Sequence, residues 1–367
     1  MKKVISVRNV TIGDGSVSVQ SMTNLPVTDV AATLNQLQRL RSAGCDIVRI
    51  AVPDKHAVAA FAEVRRHTDM PLVADIHFDY RLAVAVADSG ADKIRINPGN
   101  IGENHLPEVV AACRANGIPI RIGVNGGSIN KYTYAFFCDK ATAFPDEIPQ
   151  LDPTFDLLQN AKVLALADSV KSYVDMFDKL AFNDIVLSVK SSNVRETVAA
   201  NKLLAPLGYP LHLGVTEAGL ARQGLVKNAA GIGALLLQGI GDTIRVSLTA
   251  DPVEEVYAAR DLLVSLGLRR GVTFVSCPKC GRCTVDLQGV AEQVYAHVAA
   301  LDSDIKVAVM GCEVNGPGEC SDADIGMAGA NGGFVFFKQG KVYKRVSADV
   351  AVEEFTKEVD EIVAKNR

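Results

Sequence analysis

Apolar positions along this chain alternate between two textures. Eight short runs rich in Val, Ile and Leu, at 16–21, 47–52, 72–76, 93–98, 119–124, 185–191, 211–217 and 243–248, read as buried strands. Between them, stretches such as 31–43, 57–66, 108–116, 194–207 and 218–238 carry apolar residues at helical spacing. Near-continuous apolar strands suit a parallel sheet covered on both faces. Connections of roughly 16–25 residues hold a crossover helix with its loops. Eight such repeats predict a (β/α)8 TIM barrel over residues 1–266. A doubly wound open sheet is the rival topology.

One connection breaks the period. Sixty residues separate the fifth and sixth strands, from 125 to 184, and 131–153 is rich in aromatic residues and Pro without clear periodicity. It reads as a long excursion at the C-terminal face of the fifth strand, of the kind that serves as a lid or an interface or stays disordered. After the eighth strand, 251–266 completes a last helix and GLRRG (267–271) reads as a linker. The remainder, 272–367, predicts a small α+β domain with strand-like runs at 305–310 and 333–337 and a charged final helix from Ala348. So short a segment builds a modest core, which a metal site would stabilise.

Composition narrows the classes. Of 367 residues, 48% are hydrophobic and 22% charged, enough to bury a large core. The net charge of −4 lacks the basic excess of a nucleic-acid binder. No stretch approaches the roughly 18 apolar residues of a membrane span. The opening MKKVISVRNVTIG is broken by Arg8 and Asn9 too early for a signal peptide. The expectation is a soluble cytoplasmic protein with no membrane or nucleic-acid partner. In a reducing compartment, clustered cysteines point to metal or redox chemistry rather than disulfides.

Five of the eight cysteines lie in the C-terminal segment, in SCPKCGRC (276–283) and GCEVNGPGEC (311–320). A zinc ribbon could draw on Cys277, Cys280 and two of Cys283, Cys312 and Cys320. An iron–sulfur cluster accepts the same spacing, and Cys277, Cys280 and Cys283 resemble the start of a ferredoxin motif, although no fourth Cys-Pro follows. The absence of C-x3-C-x2-C argues against a typical radical S-adenosylmethionine enzyme. Spacing alone leaves zinc and iron both open. Cys45 and Cys113 sit in apolar helix-end contexts and read as inert core residues, while Cys138 falls in the long connection.

Cations stand where a barrel core should be apolar. Arg49, Arg95, Arg121, Lys190 and Arg245 lie within the strand runs. By alternation, Arg95 shares a face with Asn97, Arg121 with Asn125, and Arg245 with Ser247. Buried charges are costly unless paired. A purely structural reading is an ion-pair lattice with Asp75 and Glu217, but the strand ends supply too few carboxylates for it. The functional reading is an anion at the C-terminal mouth of the barrel, and so many cations suit a diphosphate. His77 in ADIHFD and Glu217 in GVTEAG end the third and seventh strands and are candidates for substrate contact and proton donation. The glycines at 123–127 and 231–241 match neither a Walker nor a dinucleotide fingerprint.

Taken in order, VQSMTN (19–24), VRIAVP (48–53), ADIHF (74–78), KIRINPGNIG (93–102), RIGVNGGS (121–128), SVKSS (188–192), LGVTEAG (213–219), GIGDTIRVSLTADPVEE (239–255), SCPKC and GCEVNGPGE resemble the bacterial 4-hydroxy-3-methylbut-2-enyl diphosphate synthase family of the non-mevalonate isoprenoid pathway. The resemblance runs through nearly the whole chain. It implies a barrel joined to a cluster domain, and the two-electron reductive opening and dehydration of 2-C-methyl-D-erythritol 2,4-cyclodiphosphate. It implies a 4Fe–4S cluster on Cys277, Cys280, Cys312 and Glu319. Anion contacts fall by the same resemblance on Arg49, Arg95, Arg121, Lys190, Arg245 and Ser247, with His77, Asn97, Asn125, Glu217 and Asn315 lining the rest of the cavity. Glu217 and Glu319 are then the catalytic carboxylates, Glu319 as a displaceable ligand harder than a thiolate. The resemblance also implies a homodimer, the cluster domain of one chain capping the barrel of the other, and a flavodoxin or ferredoxin as electron donor. Cys283 and Cys320 are extra to that ligand set, and the 125–184 connection looks longer than the family pattern. The competing enzyme reading is another TIM barrel acting on a phosphorylated substrate with structural zinc in its tail. A non-catalytic electron carrier or scaffold leaves the buried cations without a purpose.

Overall fold

Strand register decides which side chains fill the centre of this protein. The computed structural model describes residues 2–366 except Thr284, Ala300 and Asn315, and omits the Ser128 side chain; the predicted cavity residue Asn315 therefore lies outside the described residues. The chain divides into two compact units, Met1–Leu262 and Leu263–Arg367.

The first unit opens with β1 (Ile5–Val7) and β2 (Val10–Ile12), followed by β3 (Ser18–Met22), β4 (Ile47–Ala51), β5 (Leu72–Asp75), β6 (Lys93–Ile96), β7 (Ile120–Asn125), β8 (Ile185–Lys190), β9 (His212–Leu213) and β10 (Thr243–Ile244). Among the described residues, β3 to β10 form one eight-stranded sheet in the order β8-β7-β6-β5-β4-β3-β10-β9, every pairing parallel. A parallel bridge between Leu187 and Leu211 joins the two ends, with Leu187 N–H donating to the Pro210 carbonyl at 2.9 Å. The sheet is thus closed into a barrel, and the open-sheet rival is excluded. Helices start where an acidic or amide side chain caps free N–H groups: Asp29 before Val30–Ser42, Asp54 before Lys55–Arg66, Asp79 before Tyr80–Asp88 and Asn193 before Val194–Leu204.

Two features depart from the sequence reading. The first is the β1–β2 hairpin, ahead of the first predicted strand. A two-residue turn at Arg8-Asn9, with Arg8 at φ 56°, joins antiparallel strands paired Val7 to Val10. Its Val7 and Ile12 pack on Ile47 and Val73. Register places Ile47 and Val73 on the barrel's inner face, so the hairpin plugs the N-terminal end. The second is the long connection, which is mostly helical. Lys131–Ala143 is capped by Asn130, and Leu157–Lys179 by a capping box of Asp156 and Gln159. The shorter helix packs through Phe137 and Ala141 on Ala161 and Leu164 of the longer one. Its aromatic residues follow no helical stripe because most face water: Tyr132 is 88% and Phe136 60% exposed.

The second unit carries a five-stranded mixed sheet of β11 (Thr273–Ser276), β12 (Lys306–Met310), β13 (Ile325–Ala330), β14 (Gly333–Lys338) and β15 (Lys341–Ser347), in that order. The pairs β11–β12 and β12–β13 are parallel, the others antiparallel. One face (Val307, Val309, Met327, Phe336) packs against the helices Leu287–Val298 and Ala351–Lys365 through Val294, Val298, Phe355 and Val359. The other face gathers Ala308, Met310, Ala328, Val335 and Phe337 around Cys320.

Candidate functional site

Parallel register sets the barrel's inner wall. Positions alternating with the outward core residues are Ser18, Gln20 and Met22 on β3, Ile47 and Arg49 on β4, Val73 and Asp75 on β5, Lys93 and Arg95 on β6, Arg121, Gly123 and Asn125 on β7, Val186, Ser188 and Lys190 on β8, His212 on β9 and Thr243 on β10. TIM barrels usually fill this space with branched apolar side chains. Here polar and cationic side chains outnumber the apolar Met22, Ile47, Val73 and Val186.

Two carboxylates hold part of that charge. Asp75 lies 3.2 Å from Arg95 Nη1, 3.8 Å from Arg49 Nε and 3.2 Å from His77 Nε2. Burial alone would raise the Asp75 carboxyl, but Arg49, the His77 hydrogen bond and Arg95 outweigh it and hold it below the usual carboxylate range. Glu255, from the first turn of the helix Pro252–Ser265, pairs with Arg245 at 3.3 Å and accepts from the Leu248 N–H at 2.9 Å. The lattice partner of Arg245 is therefore Glu255, which sequence reasoning passed over, and Glu217 is exposed on the loop after β9 at φ 53°. Arg49 also donates from Nε and Nη2 to the Met22 sulfur at 3.0 and 2.8 Å. Burial and the cations Arg245 and Arg95 lower Arg49 to about 10, against the pull of Asp75.

Arg121 and Lys190 are left over. Arg121 is 1% exposed, and its Nε and Nη1 have no hydrogen-bond partner. Lys190 is depressed well below the ordinary lysine value, by burial first and then by Arg121, Arg245, Arg49 and Arg95. Two glycines make room for these long side chains. A Cβ on Gly123 would stand 2.7 Å from Arg95 Nε and 3.4 Å from Arg121 Nη2. One on Gly214 would stand 2.5 Å from Lys190 Nζ. The other predicted residues sit at the same C-terminal rim. Asn97 ends β6, buried, with Oδ1 accepting from the Gly99 N–H at 3.2 Å. Asn125 ends β7 opposite Lys190. Half-buried Ser247 follows β10, its carbonyl accepting from Asn228 Nδ2 at 3.1 Å. His77 follows β5 with half its side chain exposed. The arrangement is a bowl of cations with fewer counter-charges than it needs, suited to an oligo-anion.

In the second unit, the cysteine segments leave the C-terminal ends of two adjacent parallel strands. Cys277 follows β11, and Gly311-Cys312 follows β12. The Gly311 N–H donates to Cys277 Sγ at 3.1 Å. Cys280 is exposed, and the Arg282 backbone N–H, followed by the Arg282 side chain, lowers its thiol. Arg282 in turn feels Cys280, Cys312 and Glu319, so these three groups face one cation. Glu319 ends the short helix Gly316–Glu319, whose Gly316 N–H donates to the Cys312 carbonyl. The two extra cysteines lie close by: a Cβ on Gly311 would stand 3.2 Å from Cys283 Sγ, and Cys320 shares its apolar cluster with Cys277. Cys320 is buried, 3.6 Å from the Met310 sulfur. Cys283 donates to the Val285 carbonyl and packs on the core around Leu287. None of the eight cysteines is in a disulfide. Among the described residues no three His, Cys, Asp or Glu side chains are grouped closely enough to hold one metal ion.

Comparison with known proteins agrees with both halves. Residues 2–260 match the GcpE TIM-barrel domain and residues 273–361 the GcpE protein C-terminal domain. A curated 4-hydroxy-3-methylbut-2-en-1-yl diphosphate synthase (flavodoxin) from Caldanaerobacter subterraneus subsp. tengcongensis is 48% identical over 354 residues, covering 96% of this chain and 94% of that protein. One of the same name from Bacillus cytotoxicus is 46% identical over 368 residues, covering 98% and 94%. Among solved structures, a dihydropteroate synthase from Stenotrophomonas maltophilia superposes with a TM-score of 0.51 at 16% identity, covering 72% of this chain and 97% of that one, a likeness of fold alone.

Proposed function

The chain belongs to the GcpE family, and from that premise we propose that its barrel cations hold a cyclic diphosphate while its C-terminal cysteines hold a 4Fe–4S cluster. The activity is the one its curated relatives are named for. It is an oxidoreductase of non-mevalonate isoprenoid biosynthesis that opens 2-C-methyl-D-erythritol 2,4-cyclodiphosphate reductively and dehydrates it to 4-hydroxy-3-methylbut-2-enyl diphosphate, two electrons and two protons entering and one water leaving. A different phosphorylated substrate with structural zinc is not favoured.

The observation that carries the site assignment is the unbalanced inner wall. Asp75 and Glu255 counter Arg49, Arg95 and Arg245, while Arg121 and Lys190 keep their donors for a ligand. Arg121 keeps Nε and Nη1, which lie on different edges of its guanidinium, without a protein partner, and its charge faces the ligand. Asn97, Asn125 and Ser247 at the rim orient the sugar-derived carbons. Asp75 fixes the His77 ring through Nε2, so Nδ1 is the atom presented to a substrate oxygen. Glu217, exposed at the rim, orients a hydroxyl or delivers a proton.

The donor set of the second unit fits an iron–sulfur cluster: three unpaired thiols, an N–H donor at one of them, a cation beside another, and one carboxylate. Cys277, Cys280, Cys312 and Glu319 would hold it, and when bound it supplies electrons singly together with a Lewis-acidic iron at the carboxylate position. A flavodoxin donor follows from the relatives' names, with ferredoxin as the alternative. The reading takes the enzyme as a cytoplasmic homodimer; among the described residues no helix is long and apolar enough to cross a membrane, and Tyr132 and Phe136 offer an exposed apolar surface for a second copy.

Anaerobic preparation with metal analysis and turnover of the cyclodiphosphate by reduced flavodoxin tests the proposal. Iron, broad visible absorbance and turnover are expected. Cys312→Ser should lose the absorbance, Cys283→Ser should keep it, and Glu319→Ala should lose turnover. One zinc per chain without visible absorbance would refute the cluster.

A further inference from the structure

Below the cations of the mouth, the closed end of the barrel holds polar groups that the reaction does not use. Lys93 is 0% exposed and its Nζ has no hydrogen-bond partner. Gln20 is 1% exposed, with both side-chain amide atoms unpartnered. His212 is 0% exposed, with both ring nitrogens unpartnered. Arg121 borders this region and acts on Lys93 and His212 through its charge. All four residues point inward by register. Lys93 pairs with Val73, Gln20 with Ile47 and His212 with Thr243. Ile47 and Val73 are the residues on which the β1–β2 plug rests, so Gln20 and Lys93 lie directly above it. The four are also electrostatic neighbours: Arg121 is the charge that acts on Lys93, and Arg121, Lys190 and Lys93 lead the charges that act on His212.

Among the described residues the unmet groups here are the donors Lys93 Nζ, Gln20 Nε2 and one His212 nitrogen against the acceptors Gln20 Oε1 and the other His212 nitrogen, with no carboxylate among them, an arrangement that folding disfavours, since each unmet donor costs about 1–3 kcal/mol. Two adjacent cations make it worse. Burial, then Arg121, pushes Lys93 down to about 7, which only partly relieves the repulsion. Water can satisfy the hydrogen bonds but brings no counter-charge. The hairpin packs on Ile47 and Val73 at this end, and the arginines lie toward the mouth. An occupant is therefore small, and a singly charged, weakly hydrated ion loses least on leaving water.

We propose that the closed half of the barrel is a second anion site, in which a halide-sized inorganic anion accepts from Lys93 Nζ, the Gln20 amide N–H and a His212 ring N–H, beside the Arg121 charge. The ion would be a fixed counter-charge beneath the substrate site, holding Arg121 in place when the mouth is empty.

Crystals of the full-length chain grown in bromide test the proposal directly through anomalous scattering. A peak within hydrogen-bond reach of Lys93 Nζ is expected; a peak confined to the mouth beside Lys190 and Arg245, or none, overturns it. Thermal melting in chloride against gluconate at equal ionic strength gives a second readout. Chloride should raise Tm by about 2–4 °C, and Lys93→Met should abolish that rise. An unchanged chloride shift in Lys93→Met overturns the proposal. Should Lys93→Met fail to fold, Gln20→Leu serves in its place, with a diminished chloride shift expected and an unchanged one counting against the site.

Discussion

Among the described residues, the charges weighing most on Lys190 are four arginines, and this sets how the site responds to pH. Its pKa is depressed in the free protein, and a bound diphosphate pushes it back up. Binding therefore takes up a proton wherever Lys190 is neutral when free and charged in the complex, and affinity falls as pH rises through that window. Calorimetry of inorganic pyrophosphate in buffers of different ionisation heat should show net proton uptake. Lys190→Arg, permanently charged, should bind without it; uptake surviving in that variant would assign the proton elsewhere. Gly123 carries a second prediction. A methyl group there would stand 2.7 Å from Nε of the buried, ion-paired Arg95 and 3.4 Å from Arg121 Nη2, so Gly123→Ala should lower Tm as well as disturb the site. Displacing those guanidinium groups should weaken pyrophosphate binding by ~10- to 100-fold; an unchanged affinity would mean that the glycine is not there for the cations. At this scale the sequence is informative where a residue type violates its surroundings. Arg49, Arg95, Arg121, Lys190 and Arg245 stand out as charges in apolar strands. Asp75 was readable only as a structural counter-ion, although it also anchors His77. Glu255 was not readable at all, because an acid in the first turn of a helix looks like a solvated cap until tertiary contact brings it to Arg245. Gln20, Lys93 and His212 belong to strand runs whose inward parity emerges only from the register.

Elements were legible to the extent that local pattern and burial coincide. β4, β8 and the helices Lys55–Arg66 and Val194–Leu204 begin and end within two residues of their apolar runs, apart from the 205–207 turn that prolongs the last. β9 and β10 shrink to two residues each, because the glycines and polar residues near their ends carry the chain out of the ladder toward the rim. The helix Lys131–Ala143 was illegible because it buries only Ala141 fully, leaving no stripe for periodicity to find. The β1–β2 hairpin was missed for the opposite reason: three-residue strands are too short for any periodicity. Its packing nonetheless makes it structural. Ile12 is fully buried against Ile47 and Val73, so Ile12→Ala should cost about 2–5 kcal/mol in urea unfolding of the barrel unit. It should also speed exchange of the β5 and β6 amides. A loss under ~1 kcal/mol would mean that the hairpin frays in solution and plugs nothing.

The two units obey different rules, and that makes their stabilities separable. In the barrel, consecutive strands are neighbours joined by crossover helices, so sequence order predicts spatial order. In the second unit the strand order is also sequential, but β13–β14 and β14–β15 are hairpins while β11–β12 and β12–β13 are crossovers, a mixture that no single period encodes. What brings Cys277 and Cys312 to one end of that sheet is the parallel pairing of β11 with β12. The thiols therefore hold the exits of two strands whose intervening chain includes the exposed 278–282 loop. With a cluster bound, those exits are tied together by metal bonds that the unfolded chain lacks, so the metal's binding energy adds to the stability of this unit and not to the barrel's hydrophobic core. Removing iron with a chelator under oxidising conditions should therefore lower the unfolding transition of Leu263–Arg367 and leave that of Met1–Leu262 in place. Hydrogen exchange resolved by segment provides the measurement. Faster exchange is expected in β11, β12 and the helix Gly316–Glu319, with β4 to β8 unaffected. Equal acceleration in both units would mean that they unfold as one cooperative body, and that the cluster supports the barrel as well as the domain that carries it.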